Sequence, residues 1–416
     1  MGFFIKIIYF HLNYKYLTSF SYEINIQKTK NQFLNIQNLL NPFYSQIIHS
    51  EVYKAYSKID QKYVALKKIK KERKEGFPVT ALREIKILRR LNHPNIIKLL
   101  DISTEQQRNY GEQTYLVFEY CEHDLEGLLS SNIQFTLPQV KNIMYQILLG
   151  LQEIHKQNII HRDIKTDNIL CTNKGEFKIA DFGLSKINVN APLTQRIQCI
   201  PYRSPEAIFE AKKYTSKVDI WSLGIILYQL LFRNQCKRKT LFYGDGYVQQ
   251  AKQYFSFLGN PELVWSEQSK KSLMMMKYDE IMSKISPEEK AKYRDCLLDF
   301  LKDIKPNTDV YALDLLIKML VLDPEKRFSV EDCLNHQFFM QEPFMARNNE
   351  MPSIKDGNEY HNKKYKEQGV QQISNQVGKN FKNMNYNQIN NNIRPNQNTN
   401  VNKNISKQQR DTNNFK

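Results

Sequence analysis

The sequence predicts an α+β fold with two lobes, a small β-rich lobe that carries one helix and a larger α-helical lobe after it. Strand-type apolar runs occur early in the 416-residue chain, at residues 63–67 and 115–118, with one helical pattern between them. The chain that follows is dominated by helical periodicity. A cleft between two such lobes is a usual place for a ligand to bind.

The spacing of apolar residues predicts each element in turn. Residues 63–67, Tyr-Val-Ala-Leu-Lys, predict a strand, and after a basic loop Ala81, Ile85 and Leu88 fall on one face of a helix. Residues 115–118, Tyr-Leu-Val-Phe, predict a buried strand. The strongest helical pattern of the large lobe comprises Val140, Ile143, Met144, Ile147, Leu148, Leu151 and Ile154.

Composition divides the chain into three regions. Residues 1–45 are rich in Asn, Gln, Tyr and Ile without a clear period, which predicts a divergent or disordered extension. Residues 46–345 hold the regular elements, with the small lobe at 46–120 and the large lobe at 121–345. Residues 346–416 are basic and rich in Asn and Gln, so they bury too little apolar surface to offset chain entropy and are predicted to be disordered.

The overall composition, with 41% apolar and 25% charged residues, is typical of a globular protein. The longest apolar stretch, residues 221–232, is interrupted by Gln229 and is too short to span a bilayer, so no membrane segment is predicted. The N-terminal apolar run lacks the basic region and cleavage site of a signal peptide. The scattered cysteines show no metal-binding spacing, which favours reduced thiols in the nucleus or the cytoplasm.

The net charge of +17 raises the question of anionic partners. The excess is spread along the chain, with a share in the tail from residue 346 onward, as on many solvated surfaces. Few aromatic residues interleave with the basic ones in that tail, so nucleic-acid binding is predicted to be weak at most and confined to the tail.

The chemistry is concentrated in residues 161–168, His-Arg-Asp-Ile-Lys-Thr-Asp-Asn, followed by Asp181-Phe182-Gly183. Phosphoryl transfer requires a carboxylate that orients and deprotonates the attacking hydroxyl. It also requires oxygen ligands for Mg²⁺ and cations that neutralise the phosphate charge. Asp163 is suited to act as the base, and Lys165 is suited to act as the cation that neutralises the transferred phosphate. Asn168 and Asp181 suit the metal. An Asp-Phe-Gly sequence alone is usually a turn, but both motifs in order are poorly explained by chance.

With the upstream Val64-Ala65-Leu66-Lys67, these motifs resemble the protein kinase catalytic domain over residues 51–340. The resemblance implies a bilobal kinase fold that uses ATP and Mg²⁺, in which Lys67 contacts the α- and β-phosphates and pairs with Glu84. Taken alone, Lys67 reads as a solvated lysine at a strand end. Glu206 of Ser-Pro-Glu stands where kinases have Ala-Pro-Glu, and Arg327 matches its usual ion-pair partner.

Two further segments resemble the cyclin-dependent kinases, especially the PITALRE-type transcriptional group. Residues 77–84, Phe-Pro-Val-Thr-Ala-Leu-Arg-Glu, are similar to the cyclin-docking helix, and residues 118–125 are similar to the hinge between the lobes. Ala65 and Leu170 read equally well as plain core residues. The ATP-binding residues that the resemblance implies are Val52, Ala65, Lys67, Glu119, Cys121, Asp124 and Leu170.

The resemblance also implies regulation and a substrate class. Thr194 stands where these kinases carry an activating phosphothreonine, and Arg83, Arg162 and Lys186 occupy the positions of its cationic partners. Such a cluster orders an activation loop through charge-assisted hydrogen bonds. Arg203 is retained as in proline-directed kinases, which implies protein substrates with Ser/Thr-Pro sites.

The sequence departs from the family in the glycine-rich loop. The three glycine positions hold Ser45, Ile47 and Ser50, and the usual inhibitory Thr-Tyr pair is replaced by Ile48 and His49. Glycine lets the backbone approach phosphates closely, so side chains here weaken or reshape that contact. Two explanations remain open, an incorrect gene model for the first fifty residues and true divergence of the first strand.

A second departure is Cys199, which stands where the family has a threonine that hydrogen-bonds the catalytic Asp and Lys. A thiol is a poorer hydrogen-bonding partner than a hydroxyl. The sequence therefore predicts weaker substrate positioning without loss of the chemistry.

The function predicted from these residues is a cyclin-dependent serine/threonine kinase, in transcription or cell-cycle control, located in the nucleus, the cytoplasm or both. Its predicted partners are a cyclin and protein substrates. The alternative is a pseudokinase scaffold that binds a cyclin or client protein, because the glycine-rich loop is missing.

Overall fold

The fold is described from a computed structural model of the chain. All described residues belong to one compact unit. The structure describes residues 51–57, 60–70, 77–107, 111–131, 133–187, 199–235, 240–265, 275–352 and 358–361.

The small lobe is built on a four-stranded antiparallel sheet with the strand order β1-β2-β4-β3. Val64 and Leu66 of the second strand alternate with residues on the other face and pack with Tyr115 and Val117 in a small core cluster. This alternation fixes the register. The strands are β1 (Glu51–Ser57), β2 (Lys62–Lys68), β3 (Leu99–Gln107) and β4 (Gly111–Glu119).

The helix α1 (Val79–Leu88) packs beside this sheet. Pro78 precedes it and fixes the backbone dihedral φ at the helix start. Its buried face consists of Ala81, Ile87 and Leu88, with Glu84 as a buried charge among them. A buried carboxylate on an apolar face requires a cationic partner, and that partner lies in the cleft.

The large lobe is helical around α3 (Leu137–Lys156) and α5 (Lys217–Phe232). The first of these begins at a capping box of Thr136 and Gln139, and the second is almost wholly buried. The remaining helices are α2 (Leu125–Ser130), α4 (Pro205–Ile208), α6 (Tyr247–Leu258), α7 (Pro261–Val264), α8 (Tyr278–Ser283), α9 (Pro287–Lys290), α10 (Leu297–Ile304), α11 (Val310–Met319) and α12 (Val330–Leu334).

Two small antiparallel sheets line the cleft between the lobes. One has the order β5-β7-β8 and the other pairs β6 with β9. They hold the ends of the loop that carries residues 161–168 and of the segment that carries Asp181. Their strands are β5 (His123–Asp124), β6 (Ile159–Ile160), β7 (Ile169–Cys171), β8 (Phe177–Ile179) and β9 (Lys186–Ile187).

This architecture confirms the predicted α+β fold with a β-sheet lobe and a helical lobe. Among the described residues, no helix is long and apolar enough to cross a membrane. Residues 346–352 lie against the large lobe, where the Asn142 amide donates to Asn348 Oδ1 at 3.0 Å and Gln139 donates to the Glu350 carbonyl at 2.8 Å.

Candidate active site

Three charged side chains from three elements meet in the cleft. Lys67 of β2 lies 2.8 and 2.9 Å from the carboxylate oxygens of Glu84 on α1, and 2.8 Å from Asp181 Oδ1. The sequence separation of these residues shows that this contact is made only when the sheet, the helix and the large lobe are assembled. The structure therefore brings together the three predicted residues in one ion-pair network.

The electrostatics of this network keep Lys67 charged. Burial alone lowers the pKa of Lys67, but the carboxylates of Glu84 and Asp181 outweigh burial, so its pKa is raised. Burial raises the pKa of Asp181, yet the neighbouring Lys67 ammonium dominates and holds it below its ordinary value. The ammonium of Lys67 is suited to bind a polyanionic substrate.

The catalytic loop (residues 161–168) holds Asp163 in one orientation. Asn168 Nδ2 donates to both the backbone carbonyl and Oδ2 of Asp163, at 2.8 and 2.9 Å. Lys165 Nζ donates to the same Oδ2 at 2.8 Å, and the Asp163 charge contributes to raising the pKa of Lys165 against the opposing effect of burial. Asp163 is thus preorganised, with Oδ1 on the other side of its carboxylate group.

Asp219 on α5 supports the loop from below. Its Oδ2 and Oδ1 accept hydrogen bonds from the backbone N–H groups of His161 at 2.9 Å and Arg162 at 2.8 Å, and Oδ2 also contacts His155 Nε2 at 2.9 Å. Asp219 is fully buried, and although burial raises its pKa, these hydrogen bonds and charges lower it. The carboxylate therefore stays ionised and holds a loop that carries backbone strain.

Two residues at the site have left-handed backbone conformations. Arg162 has φ +69° and Asp181 has φ +63°, and neither is a glycine. Phe182 is fully buried beside the His161 ring, with ring centroids 4.8 Å apart. The buried Phe182 ring anchors the residue next to Asp181, whose Oδ1 contacts Lys67.

Several residues predicted to bind ATP lie on paired strands of the two lobes. Ala65 of β2 pairs with Phe118 in the sheet register, Val52 lies opposite Lys67, and Leu170 of β7 pairs with Asp124 of β5. Ala65 and Leu170 are only partly buried although they pack against the core. Strands of both lobes therefore supply these residues, and their binding roles stay predictions.

Residues 358–361, here called the C-terminal strap, lie across the hinge, and the sequence did not indicate them. The Asp124 backbone N–H donates to the Tyr360 carbonyl at 3.0 Å, and His361 Nδ1 lies 3.3 Å from Asp124 Oδ2. Glu359 reaches the small lobe and forms an ion pair of 2.5 Å with Lys54. The strap thus contacts both lobes at the edge of the cleft.

The hinge-side contact of the strap predicts a pH dependence. The Tyr360 backbone N–H donates to His123 Nδ1 at 3.1 Å, so this nitrogen must be unprotonated. Burial lowers the pKa of His123 below its ordinary 6.5, and the His361 charge adds to this, against the Asn173 hydrogen bond. Because the detached state binds the proton more readily, protection of the Tyr360 amide from hydrogen exchange is expected to fall below pH 6.5, by at most about tenfold per pH unit.

Protection factors from pH 7.5 to 5 test this expectation. The Glu350 amide, which donates to the Arg347 carbonyl without a histidine contact, is the internal control. Equal changes at Glu350 and Tyr360 would contradict a role for His123.

The three cations predicted to receive a phosphate lie close together. Burial lowers the pKa of Lys186 on β9, and the positive charges of Arg162 and Arg83 lower it further. Arg162 also donates to the Leu184 carbonyl at 2.6 Å and to the Tyr214 hydroxyl at 3.1 Å. The predicted phosphosite Thr194 lies outside the described residues, as do the glycine-loop positions Ser45, Ile47 and Ser50 and the pair Ile48 and His49.

The substrate-side loop (residues 199–204) follows the undescribed residues 188–198. Cys199 is an exposed residue at the start of this loop, and the opposite charges of Lys165 and Asp163 act on its thiol. After this loop, Glu206 forms a buried two-point ion pair with Arg327, at 2.8 and 2.9 Å. The loop is thus fixed at its C-terminal end and faces the catalytic loop at its beginning.

Comparisons with known proteins agree with this geometry. The protein kinase domain family matches residues 48–339. Cyclin-dependent kinase 9 of Danio rerio is 39% identical over 308 residues, which cover 70% of this chain and 78% of the relative. This chain belongs to the protein kinase family, among the cyclin-dependent kinases. The resemblance stated from the motifs, and the fold that it implied, are confirmed.

Other relatives of this kinase differ in length. Cyclin-dependent kinase C-2 of Oryza sativa subsp. japonica is 36% identical over 334 residues, covering 76% of this chain and 61% of the relative. The kinase therefore spans less than two thirds of that relative. A solved structure, the crystal structure of the yeast RNA Pol II CTD kinase CTDK-1 complex, matches with a TM-score of 0.63 at 32% identity, covering 72% of this chain and 93% of that one.

The protein kinase family uses ATP and Mg²⁺, and the side chains of this kinase fit both. The Asn168 amide nitrogen donates to Asp163, so the amide oxygen of Asn168 points away from Asp163. The Asp181 carboxylate is ionised, with Oδ1 on Lys67. Carboxylate and amide oxygens are the hard ligands that Mg²⁺ prefers, and such sites are completed by substrate phosphates.

Proposed function

We propose that this kinase is catalytically active and transfers the ATP γ-phosphate to Ser/Thr-Pro sites on proteins when bound to a cyclin. The observation that carries the proposal is the joined set of Lys67, Glu84 and Asp181 opposite a restrained Asp163. In-line phosphoryl transfer needs positioning and electrostatic stabilisation more than covalent chemistry, and these four side chains supply both.

Each role follows from the contacts of the side chain. Asp163, held by Asn168 and Lys165, orients the substrate hydroxyl and accepts its proton. Lys67 holds the α- and β-phosphates of ATP, and Lys165 faces the transferred phosphate. Mg²⁺, when bound to Asn168 and Asp181, neutralises charge on the phosphate oxygens.

Cyclin dependence is supported by the outer face of α1. Val79 and Leu82 are 69% and 53% exposed, although the buried face of the same helix carries Glu84. Exposed apolar residues on a helix that positions a site residue suit a partner that sets the helix position. The relatives named above are cyclin-dependent kinases.

A role in transcription is supported by the kinship with a structure described as an RNA Pol II CTD kinase complex. A nuclear location agrees with that kinship. Specificity for proline after the phosphorylated residue rests on Arg203, a buried residue of the substrate-side loop whose guanidinium lies 5.5 Å from the Tyr247 ring.

A pseudokinase scaffold is the second candidate, and the residues at the glycine-loop positions favour it. Ser45, Ile47 and Ser50 carry side chains where phosphates require close backbone approach. A scaffold of this kind binds ATP with Mg²⁺ and a cyclin without transferring phosphate.

Transfer of radiolabelled γ-phosphate to matched Ser-Pro and Ser-Ala peptides, with and without cyclins of the same organism, tests the proposal. Labelling that needs a cyclin and prefers the Ser-Pro peptide supports it. A folded, cyclin-bound and ATP-binding kinase that labels neither peptide would establish the scaffold instead.

The variant Cys199→Thr is expected to raise kcat/KM for a protein substrate. A hydroxyl hydrogen-bonds more strongly than a thiol, and a net gain of about 1 kcal/mol corresponds to roughly fivefold. Steady-state kinetics with the Ser-Pro peptide measure the gain. Cys296→Thr, a change of the same kind on the large-lobe surface away from the cleft, is the matched control and should have no effect. A lower kcat/KM in Cys199→Thr would show that the thiol is not a weakened threonine.

A further inference from the structure

Thr166 lies directly after Lys165 in the catalytic loop and its side chain is wholly buried between two polar groups. Its hydroxyl donates to Glu126 Oε2 at 2.8 Å and lies 2.8 Å from the Tyr202 hydroxyl. Burial of a hydroxyl that has two hydrogen-bonding partners costs little free energy of folding. Removing the hydroxyl takes a hydrogen bond from both partners. The position therefore depends on the hydroxyl and not on volume alone.

Glu126, the first partner of Thr166, has a side chain that is held in place by an ion pair. Arg233, the residue directly after α5, donates to both of its carboxylate oxygens, at 2.9 and 2.8 Å. Burial raises the pKa of Glu126, but the Arg233 hydrogen bonds and charge, with the Thr166 hydrogen bond, lower it overall. The ionised carboxylate is held by a two-point, charge-assisted pair and makes a strong acceptor for Thr166.

Tyr202, the second partner, belongs to the substrate-side loop. Its hydroxyl lies 3.1 Å from Gln229 Oε1, and its carbonyl accepts from Ser222 Oγ at 2.9 Å. Both of these residues are on α5, and Arg233 follows directly after its last residue. Thr166 is thus the side chain through which the catalytic loop joins a network built on one rigid helix.

We propose that Thr166 is a positioning residue, which sets the distance between Asp163 and the substrate-side loop through its hydroxyl. The inference rests on the proposed function, because a protein substrate must contact the catalytic loop and the loop that carries Arg203 together. A misplacement of about 1 Å between reacting groups lowers rates by up to roughly a hundredfold. Thr166 acts through Glu126 and Tyr202 and contacts no reacting atom itself.

The test compares Thr166→Val, which keeps the shape without the hydroxyl, with Thr166→Ser, which keeps the hydroxyl. In the cyclin-bound kinase, Thr166→Val is expected to lower kcat about tenfold and raise the peptide KM, with the KM for ATP unchanged. Thr166→Ser should stay within about twofold of wild type. Ser130→Ala is the matched control, because Ser130 also contacts Glu126, at 3.3 Å, but lies on α2 away from the loop.

A double-mutant cycle with Tyr202→Phe tests the coupling. Losses from Thr166→Val and Tyr202→Phe should be less than additive if both act through one network. An equal loss in Thr166→Ser and Thr166→Val, or fully additive losses, would overturn the proposal.

Hydrogen exchange separates this inference from the proposed function, because it needs no activity. Thr166→Val should accelerate exchange in residues 161–168 and 199–204 together, and Ser130→Ala in neither. If the wild type transfers no phosphate, the proposed function fails and this readout alone decides the role of Thr166. Unchanged exchange in both loops would overturn it.

Discussion

Replacing Asp163 by Asn is expected to lower kcat by about a hundredfold to ten-thousandfold, the range in which general bases contribute. The amide of Asn has the shape of the carboxylate, and its oxygen still accepts from Asn168 and Lys165, which donate to Asp163 Oδ2 at 2.9 and 2.8 Å. The variant removes the proton acceptor while leaving the loop in place. Single-turnover transfer to a Ser-Pro peptide measures the chemical step directly.

Asp167→Asn is the matched control, because Asp167 is an exposed carboxylate in the same loop. It should retain kcat within about twofold, since Asn keeps the shape of an exposed side chain and surface substitutions usually have small effects. ATP affinity should be equal in both variants and the wild type. If Asp163→Asn kept more than a tenth of the wild-type rate, Asp163 would not be the base.

The sequence predicted the centre of the site because each of its residues sits in a short motif with its own chemical requirement. Lys67 and Asp181 are 114 positions apart, yet both belong to motifs that phosphoryl transfer demands in that order. The structure adds the contact between them, which the motifs alone do not give. The helix that carries Glu84 was predicted from its apolar face. Local patterns were sufficient where local residues carry the chemistry.

The strap was missed because its role depends on contacts far apart in the chain. Tyr360 meets His123 across 237 positions, and residues 358–361 lie in a polar region without periodicity. Gly127 gives the only local hint. A side chain there would meet the Tyr360 carbonyl at 2.4 Å, but the sequence does not reveal what approaches that glycine.

Thr166 was missed for a different reason. It lies inside the decisive motif, but Thr, Glu and Tyr are ordinary polar residues whose value depends on meeting in a buried place. Glu126 and Thr166 come from separate elements, and Arg233 is supplied by a third. Only the assembled lobe shows that the three are one network.

Replacing Arg327 by Ala is expected to cost about 3–5 kcal/mol of unfolding free energy, the largest stability loss expected here. Both side chains of the pair are fully buried, at 0% exposure for Arg327 and 1% for Glu206. Arg327 also donates to the carbonyls of Lys217 at 2.8 Å and Val321 at 3.0 Å. Its removal leaves a buried carboxylate without a counter-charge and buried carbonyls without donors.

Urea unfolding of the kinase measures this loss of unfolding free energy. The same measurement on Arg327→Lys uses a variant that stays folded more easily. Lysine retains the charge but cannot form the two-point hydrogen bonds, so an intermediate loss is expected. Lys284→Ala is the control, because its pair with Glu280 is more than half exposed on both sides and contributes little to stability. A loss below 1 kcal/mol for Arg327→Ala would mean that the lobe relaxes around the missing cation. The end of the substrate-side loop would then be held by its packing and not by this ion pair.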